Sequence, residues 1–275
     1  MPSASKSSKK ILIRFRLALP AARLHFFASV TVAIFVAALI FIYWFPPPFN
    51  KISGGQTIFW VLVAADTVSG PALTLLLFRP TKTKLAWTID LTFIIILQTI
   101  AFSYGINALS QARPIAIVYE VDRFRVISYA DLPPDELAHA PSWVKPLALE
   151  GPRIIGLRMA KNLDEKLASV DSSLQGVEPS QRPKFWQDYQ LSVAQVLARS
   201  FPLNALRSMH PEKNSLIDDA LRATTSRNEN GRTFSQEEKL RWMPIVSRHV
   251  TDWVVLIDSL SGALVGYIHL NGFVE

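Results

Sequence analysis

Residues Ile58 to Phe78 read IFWVLVAADTVSGPALTLLLF, an apolar run of 21 residues with one carboxylate, Asp66, near its middle. At about 1.5 Å of rise per residue a helix of this length crosses the roughly 30 Å hydrocarbon core of a bilayer. Asp66 then falls near the midplane, where an ionised carboxylate costs about 2.5 to 3.5 kcal/mol on insertion scales. It is therefore expected to face a partner helix or to carry a proton. Ser69-Gly70-Pro71 interrupts the run, removing one backbone donor and leaving a surface poor in side chains. The segment reads as a membrane span built to meet another helix. A buried soluble helix is the alternative, and the similar apolar runs on both sides of this one argue against it.

Working outward, the 275 residues are 49% hydrophobic and 19% charged with a mean hydropathy of +0.22, an average over two unlike halves. Long apolar runs dominate residues 1–109, whereas the remainder has ordinary globular composition and length enough for one core. The expected fold class is membrane-anchored α+β, an N-terminal bundle of three transmembrane helices followed by a soluble periplasmic α+β domain. The divisions are a basic cytoplasmic tail over 1–24, a membrane domain over 25–109 with spans near 26–45, 58–78 and 85–105, and a periplasmic domain over 110–275. Cysteine is absent, which removes disulfides, thiol nucleophiles and cysteine metal sites.

The net charge of +7 is placed rather than spread. Six basic residues (Lys6, Lys9, Lys10, Arg14, Arg16 and Arg23) precede the first apolar run, one (Lys51) lies in the first loop, and three (Arg79, Lys82 and Lys84) lie in the second. The positive-inside rule puts the tail and the second loop in the cytoplasm and the C-terminal domain across the membrane, in the periplasm of a bacterium. The Ser- and Lys-rich residues 1–10 predict a disordered start, and 11–23 a short amphipathic helix lying on the membrane surface. A signal peptide is disfavoured, because the run from Phe26 to Phe45 ends in Tyr43 and Trp44 as an interfacial belt and lacks a small-residue cleavage site. Pro46-Pro47-Pro48 predicts a stiff extended exit from the first span.

In the soluble part, Ile115–Val121 and Arg125–Tyr129 predict a hairpin or consecutive strands, and Arg153–Met159 a further strand. Lys184–Ser200 has the pattern of an amphipathic helix. Helical pieces are expected near 202–209 and 215–223, a turn at Asn228–Gly231, and a capping box at Ser235 with Glu238. Trp253 to Leu270, broken at Asp258–Gly262, gives the clearest hairpin, and strands from the two ends of the domain are expected to meet in one sheet.

Catalytic chemistry has no motif to stand on. There is no phosphate loop, nucleophile elbow, dinucleotide fingerprint or zinc-binding His-Glu-x-x-His. The five histidines are scattered, with His25 reading as an interfacial residue at the head of the first span and His269 pointing outward on the last strand. No catalytic residue, metal ligand or cofactor is assigned. Asp164 and Glu165 read as a solvated helix face. Arg182, Lys184, Arg241 and Arg248 form no basic stripe interleaved with aromatics, which argues against nucleic acid. The membrane carboxylates are more specific. Asp66 and Asp90 with Gln98 either bond Ser, Thr, Gln or loop cations inside the bundle or, with Ser69, Gly70 and Pro71, recognise a polar group on a client helix. A proton-conducting role has little room in three spans.

Several short motifs, taken in order, resemble those of the type IV pilin accessory proteins of the TfpX/TfpZ family. They are Trp44-Phe45-Pro46-Pro47-Pro48-Phe49, Asp66 with Ser69-Gly70-Pro71-Ala72-Leu73-Thr74-Leu75, Phe78-Arg79-Pro80-Thr81-Lys82, Asp90, Gln98, Tyr104-Gly105, Ala112-Arg113-Pro114 and Asp122-Arg123-Phe124. The resemblance is dense over residues 25–130 and weaker beyond. It implies an inner-membrane protein that helps a type IV pilin reach the assembled pilus, and it carries over no catalytic residue. On this reading the partners are the major pilin, through its transmembrane helix and its periplasmic head, membrane lipids and the pilus assembly machinery. The expected action is chaperone-like: small residues allow close approach of the pilin helix. Two other classes compete, a membrane enzyme that modifies the pilin, such as a glycosyltransferase, and a membrane-anchored periplasmic ligand sensor.

Overall fold

The computed structural model describes residues 3–225 and 239–273. The chain forms two compact units, one from residues up to 43 together with 55–110, the other from 44–54 together with 111 onward. The protein is a membrane-anchored α+β fold. Its first helices are α1 (Ser3–Leu39), α2 (Phe49–Ile52), α3 (Gly55–Leu77) and α4 (Lys84–Ala112).

In the first unit, three helical stretches are long and apolar enough to span a bilayer: Ile13–Trp44, Gly55–Leu77 and Lys84–Ala112. Residues 3–10 are helical rather than disordered, and 11–23 form no separate surface helix, because α1 runs unbroken from Ser3 through Pro20. The helix formers Ala21, Ala22, Arg23 and Leu24 carry it past the proline, and apolar surroundings tolerate proline inside a spanning helix. One π-helical turn, Ile40–Trp44, closes the stretch. α4 runs past the expected end at 105 and stops at Ala112, where Pro114 disfavours helical backbone at Arg113. Phe35, Trp60, Val68, Phe93 and Ile100 point outward from the three helices, as hydrocarbon solvent requires. Arg14 of α1 donates its Nε to the Phe78 carbonyl at 2.6 Å and a terminal nitrogen to the Leu76 carbonyl, which satisfies acceptors left open at the end of α3.

The second unit is built on one sheet. Its strands are β1 (Pro114–Glu120), β2 (Arg123–Ser128), β3 (Arg153–Leu157), β4 (Trp186–Asp188), β5 (Phe201–Pro202), β6 (Leu240–Val246), β7 (Trp253–Asp258) and β8 (Leu264–Ile268). The spatial order is β4-β3-β1-β2-β6-β7-β8, with β5 paired to β6 off this path. The expected hairpins β1–β2 and β7–β8 are both present and antiparallel. Strands from the two ends of the domain join where β2 runs parallel to β6, through Phe124 against Ile245 and Arg125 against Val246. β6 carries Pro244 in mid-strand and no alternation of polar and apolar residues, since both of its faces are covered; that is why its pattern gave no strand signal.

Period-2 alternation sorts the core. Trp253, Val255 and Ile257 of β7 enter one cluster with Ile117, Phe124, Met243 and Ile245. Val254 and Leu256 enter another, against α7 (Leu203–Met209) and α8 (Asn214–Thr225). The remaining helices are α5 (Leu163–Leu174) and α6 (Val193–Arg199). Of the long helix expected over Lys184–Ser200, only the seven residues of α6 are α-helical. Residues 186–188 instead pair with β3 as β4, and Asp188 accepts a bond from the Gln190 amide at 2.8 Å, so α6 starts at Val193. Tertiary pairing and local side-chain caps override the helical spacing here. The turn at 228–231 and the capping box at Ser235 and Glu238 lie outside the described residues.

The first loop belongs to this second unit. Pro46–Pro48 is a turn rather than an extended exit, closed by a 2.8 Å bond from the Phe49 amide to the Pro46 carbonyl, and the Pro47–Pro48 peptide is cis. The turn starts α2, whose Phe49 and Ile52 are buried in the main core. Phe49 meets Tyr267 edge-on at 5.3 Å, and Ser247 donates its hydroxyl to the Ile52 carbonyl at 2.5 Å. Burying two such side chains stabilises by roughly 1.5 to 3 kcal/mol each.

Candidate functional site

The polar residues of the membrane unit converge on a chain of hydrogen bonds that crosses all three helices. Gln98 of α4 donates its side-chain amide to Asp66 of α3, at 3.3 Å to Oδ1 and 3.5 Å to the backbone carbonyl. Its Oε1 lies 2.8 Å from Nε2 of His25 on α1. The other ring nitrogen, Nδ1, lies 2.8 Å from the hydroxyl of Thr74, one turn on from Gly70. Thr74 Oγ1 also lies 3.0 Å from the Gly70 carbonyl. Because Gln98 uses its amide on Asp66, its oxygen accepts and His25 Nε2 donates. The one hydroxyl proton of Thr74 then serves Nδ1 of a neutral ring, or the Gly70 carbonyl when both ring nitrogens are protonated.

Gly70 is what lets the helices meet here. It is buried, and a Cβ on it would fall 2.3 Å from Gln98 Nε2 and 2.9 Å from His25 Nε2. Its lack of a side chain is thus filled by this chain's own histidine and glutamine. Farther along α4, Gly105 likewise receives the side chain of Leu62, 2.2 Å from where a Cβ would stand.

Of the residues singled out in the sequence, Asp66, Gly70 and Gln98 come together. Asp90 does not join them; it forms an ion pair with Lys82 from the loop between α3 and α4. Ser69 is exposed and Pro71 half-buried. Ala65 and Ser69, four residues apart, are both exposed and put two small side chains on one outward face of α3. Two members of the polar chain were not picked out as site residues, His25 and Thr74. A signal for them existed: His25 is the lone His, Asp, Glu, Lys or Arg between Arg23 and the end of its span, and Thr74 follows Gly70 at i+4.

The loop motif residues all serve the second unit. Trp44 donates its indole N–H to the Ala148 carbonyl at 3.1 Å, and Pro46 lies beside Gly151. Arg113 is buried ahead of Pro114, the first residue of β1, and donates from its two terminal nitrogens to the carbonyls of Glu150 and Lys145, at 2.7 Å each. Burial pulls its pKa below the usual arginine value, against the opposing charge of Glu150. Asp122 and Arg123 form a forked pair, 2.8 and 3.2 Å, at the tip of the β1–β2 hairpin. Arg123 also lies over the ring of Phe273, 5.1 Å from its centroid.

A cleft of about 320 Å³ opens beside β2, lined by Arg125, Asp131, Gln181 and Arg248 among others. Both arginines already face carboxylates: Arg125 Nε is 3.1 Å from Glu120, and Arg248 is 3.9 Å from Asp131. Arg182 is likewise a buried partner of Glu136 at 3.2 Å, and Arg241 bonds Ser200, so both serve the structure of the domain. Among the described residues no group of three or more His, Asp or Glu side chains is placed to hold a metal ion.

Comparison with known proteins gives a consistent result. Residues 13–54 match the family described as Fimbrial assembly protein FimB. The chain is 31% identical over 246 residues to the fimbrial assembly protein of serogroup I from Dichelobacter nodosus, covering 89% of this chain and 92% of that protein. It is 30% identical, with the same coverage, to the serogroup E1 protein of that organism. The protein of serogroups C1 and C2 is 40% identical over 127 residues, which is 46% of this chain and 97% of that one. No solved structure matches. With two relatives at 30% identity or above along nearly their whole length, the chain belongs to the fimbrial assembly protein family.

Proposed function

We propose that this protein is a non-enzymatic accessory factor of a bacterial inner membrane that binds a type IV pilin subunit and promotes its assembly into the pilus. Its N-terminus is cytoplasmic and its sheet domain periplasmic, the arrangement that the six basic residues ahead of the first span favour. The observation that carries the reading is the likeness to fimbrial assembly proteins over 89% of the chain, membrane unit and sheet domain alike. The bundle geometry supports it in a particular way. Asp66, Gln98, His25 and Thr74 bond one another inside the bundle, while Trp60 and Val68 of α3 and Phe93 and Ile100 of α4 face outward. A client helix is received on such a surface through packing and small residues rather than through charge, and Ala65 with Ser69 on α3 provides that contact. The action is chaperone-like: the subunit is held in the membrane until the assembly machinery takes it.

The test is photocrosslinking from a residue introduced at Ser69, in cells that express the pilin. A pilin adduct, fewer pili in a deletion strain and an unchanged pilin mass are expected. No adduct together with normal piliation sinks the proposal. A pilin mass that changes on deletion replaces it with an enzyme that modifies the subunit.

A further inference from the structure

Helix α5 is mounted with its polar side toward the domain and its apolar side toward solvent. None of its residues is buried. At about 100° per residue, Leu163, Leu167, Val170 and Leu174 fall on one narrow stripe. They are 53% to 83% exposed, and Met159, just ahead of the helix, is 83% exposed. The half-buried residues are Glu165, Ser169 and Ser172 on the opposite side and Ser173 between the two. The mounting is specific. Glu165 receives Arg158 through two bonds of 2.7 and 2.9 Å and the Lys161 amide at 2.5 Å, while Asn162 caps the helix by accepting from the Glu165 amide at 2.8 Å. The Arg158 contact, with the Lys161 bond, holds the Glu165 carboxyl down at about 2. A helix of 12 residues is marginal alone, so these contacts both form it and fix which side it shows.

We infer that the Leu163–Leu167–Val170–Leu174 stripe is the docking surface for a partner protein with an apolar seam edged by lysine or arginine, and that this partner is the fimbrial subunit. The last clause rests on the function proposed above. Charge selects the edge. Asp164 and Asp171 lie two turns apart along one flank of the stripe, and Lys166 lies on the other. Asp171 also accepts a 2.9 Å bond from Gln175. A lipid surface fits poorly, because helices that lie in headgroups carry lysine and arginine beside the apolar side. A second copy fits poorly as well: in an antiparallel two-fold pair the Asp164–Asp171 flank meets itself. Five exposed apolar residues fall far short of the about 20 to 30 residues per side of a stable interface, which makes this a transient contact. The contact is brief and repeatable, as a protein that releases its client requires.

The experiment uses the full chain in membranes with the co-expressed fimbrial subunit, carrying a photocrosslinkable residue at Leu167 or, separately, at Ser69. A subunit adduct from Leu167 is expected. It should fall about tenfold when Asp164→Lys and Asp171→Lys are combined, while the Ser69 adduct persists. Leu174→Met should keep the Leu167 adduct and Leu174→Ser lose it, both substitutions being at an exposed position that leaves folding intact. An adduct from Ser69 with none from Leu167 overturns the α5 surface and leaves the proposed function standing. None from either position overturns both. Crosslinking of Leu167 to a second copy or to phospholipid overturns the assignment of the stripe to the subunit.

Discussion

Gln98 on α4 and His25 on α1 are joined by a 2.8 Å contact between Oε1 and Nε2, and this one pair ties the third span to the first while the same glutamine holds Asp66. In hydrocarbon an unsatisfied polar group has no water to turn to, yet measured interhelical bonds average only about 0.6 kcal/mol, with a maximum near 1.7. Gln98→Leu removes bonds to two helices and leaves His25 and Asp66 short of a partner. We expect a loss of about 1 to 2 kcal/mol in stability, read from denaturant titration of the purified protein in detergent. His25→Phe keeps a planar ring at this position, somewhat larger than imidazole, and should cost less than Gln98→Leu. Equal stability of Gln98→Leu and wild type would remove the polar chain as a determinant of the bundle.

Gly70 and the adjacent Ser69 separate packing from recognition. A side chain at 70 displaces Gln98 and His25, whereas one at 69 enters open space. Gly70→Leu is therefore expected to lower the thermal midpoint of the protein in detergent, and Ser69→Leu to leave it unchanged while weakening pilin crosslinking from a photoreactive residue at the exposed Leu76 of the same helix. If both lower the midpoint equally, the outward placement of residue 69 is wrong.

These two neighbours also mark what the sequence could disclose. The length and composition of three apolar runs fixed the class of fold, because the bilayer sets the length of an element and its solvent-facing chemistry. The carboxamide and carboxylate at 98 and 66 were visible as exceptions to that chemistry. What was not visible was their direction. Gly70 reads as an open surface until the helices are placed, and His25 reads as interfacial until its depth is matched to Gln98 across α1 and α4. The hairpins β1–β2 and β7–β8 were legible from local alternation and turn residues. β6, covered on both faces, and β4, formed only by pairing with β3, depend on neighbours distant in the chain. The role of the first loop was hidden for the same reason: nothing in Phe49 or Ile52 announces a core more than sixty residues away.

Arg113 should prove the least replaceable residue of the second unit. Its two terminal nitrogens satisfy the carbonyls of Lys145 and Glu150 in a buried place, so Arg113→Met leaves both acceptors without a donor. The expected cost is about 3 kcal/mol, measured by denaturation of the full chain in detergent micelles and followed through tryptophan fluorescence. Arg113→Lys should recover little, since one ammonium does not span two carbonyls in the fork geometry of guanidinium. Full recovery with lysine would show that charge alone is needed there.

Glu120 gives the sheet domain a dependence on pH of a particular sign. Desolvation raises its pKa, and the Glu178 charge adds to this, against Arg125 and the bonds from Ser180. A carboxyl raised above its unfolded value holds its proton longer in the folded state. Its protonated form therefore favours folding below the unfolded value, and that contribution is lost as pH rises through the folded one. Glu120→Gln copies the protonated state. The stability of wild type relative to Glu120→Gln should fall as pH rises above the range in which an unperturbed glutamate titrates, about 4.3. A difference that grows the other way would mean that the Arg125 pair outweighs burial.

The tip of the β1–β2 hairpin holds the one non-glycine residue with positive φ among the described residues, Val121 at 55°. A β-branched residue is an outlier in this region, and such strain costs of order 1 to 3 kcal/mol. Nothing in the packing compensates through the side chain, which is 61% exposed. The compensation comes through the backbone: the Val121 carbonyl accepts the Tyr119 hydroxyl at 2.8 Å and Arg199 Nη1 at 3.2 Å. Those bonds do not need a valine. Val121→Gly should keep both and relieve the clash, but it also loosens the unfolded chain, so the net gain is about 0.5 to 1 kcal/mol. Val121→Asn, which tolerates the left-handed region, should gain without the added chain entropy. Both are measured as a rise in denaturation midpoint, and a fall for both variants would place the strain elsewhere than in the side chain of residue 121.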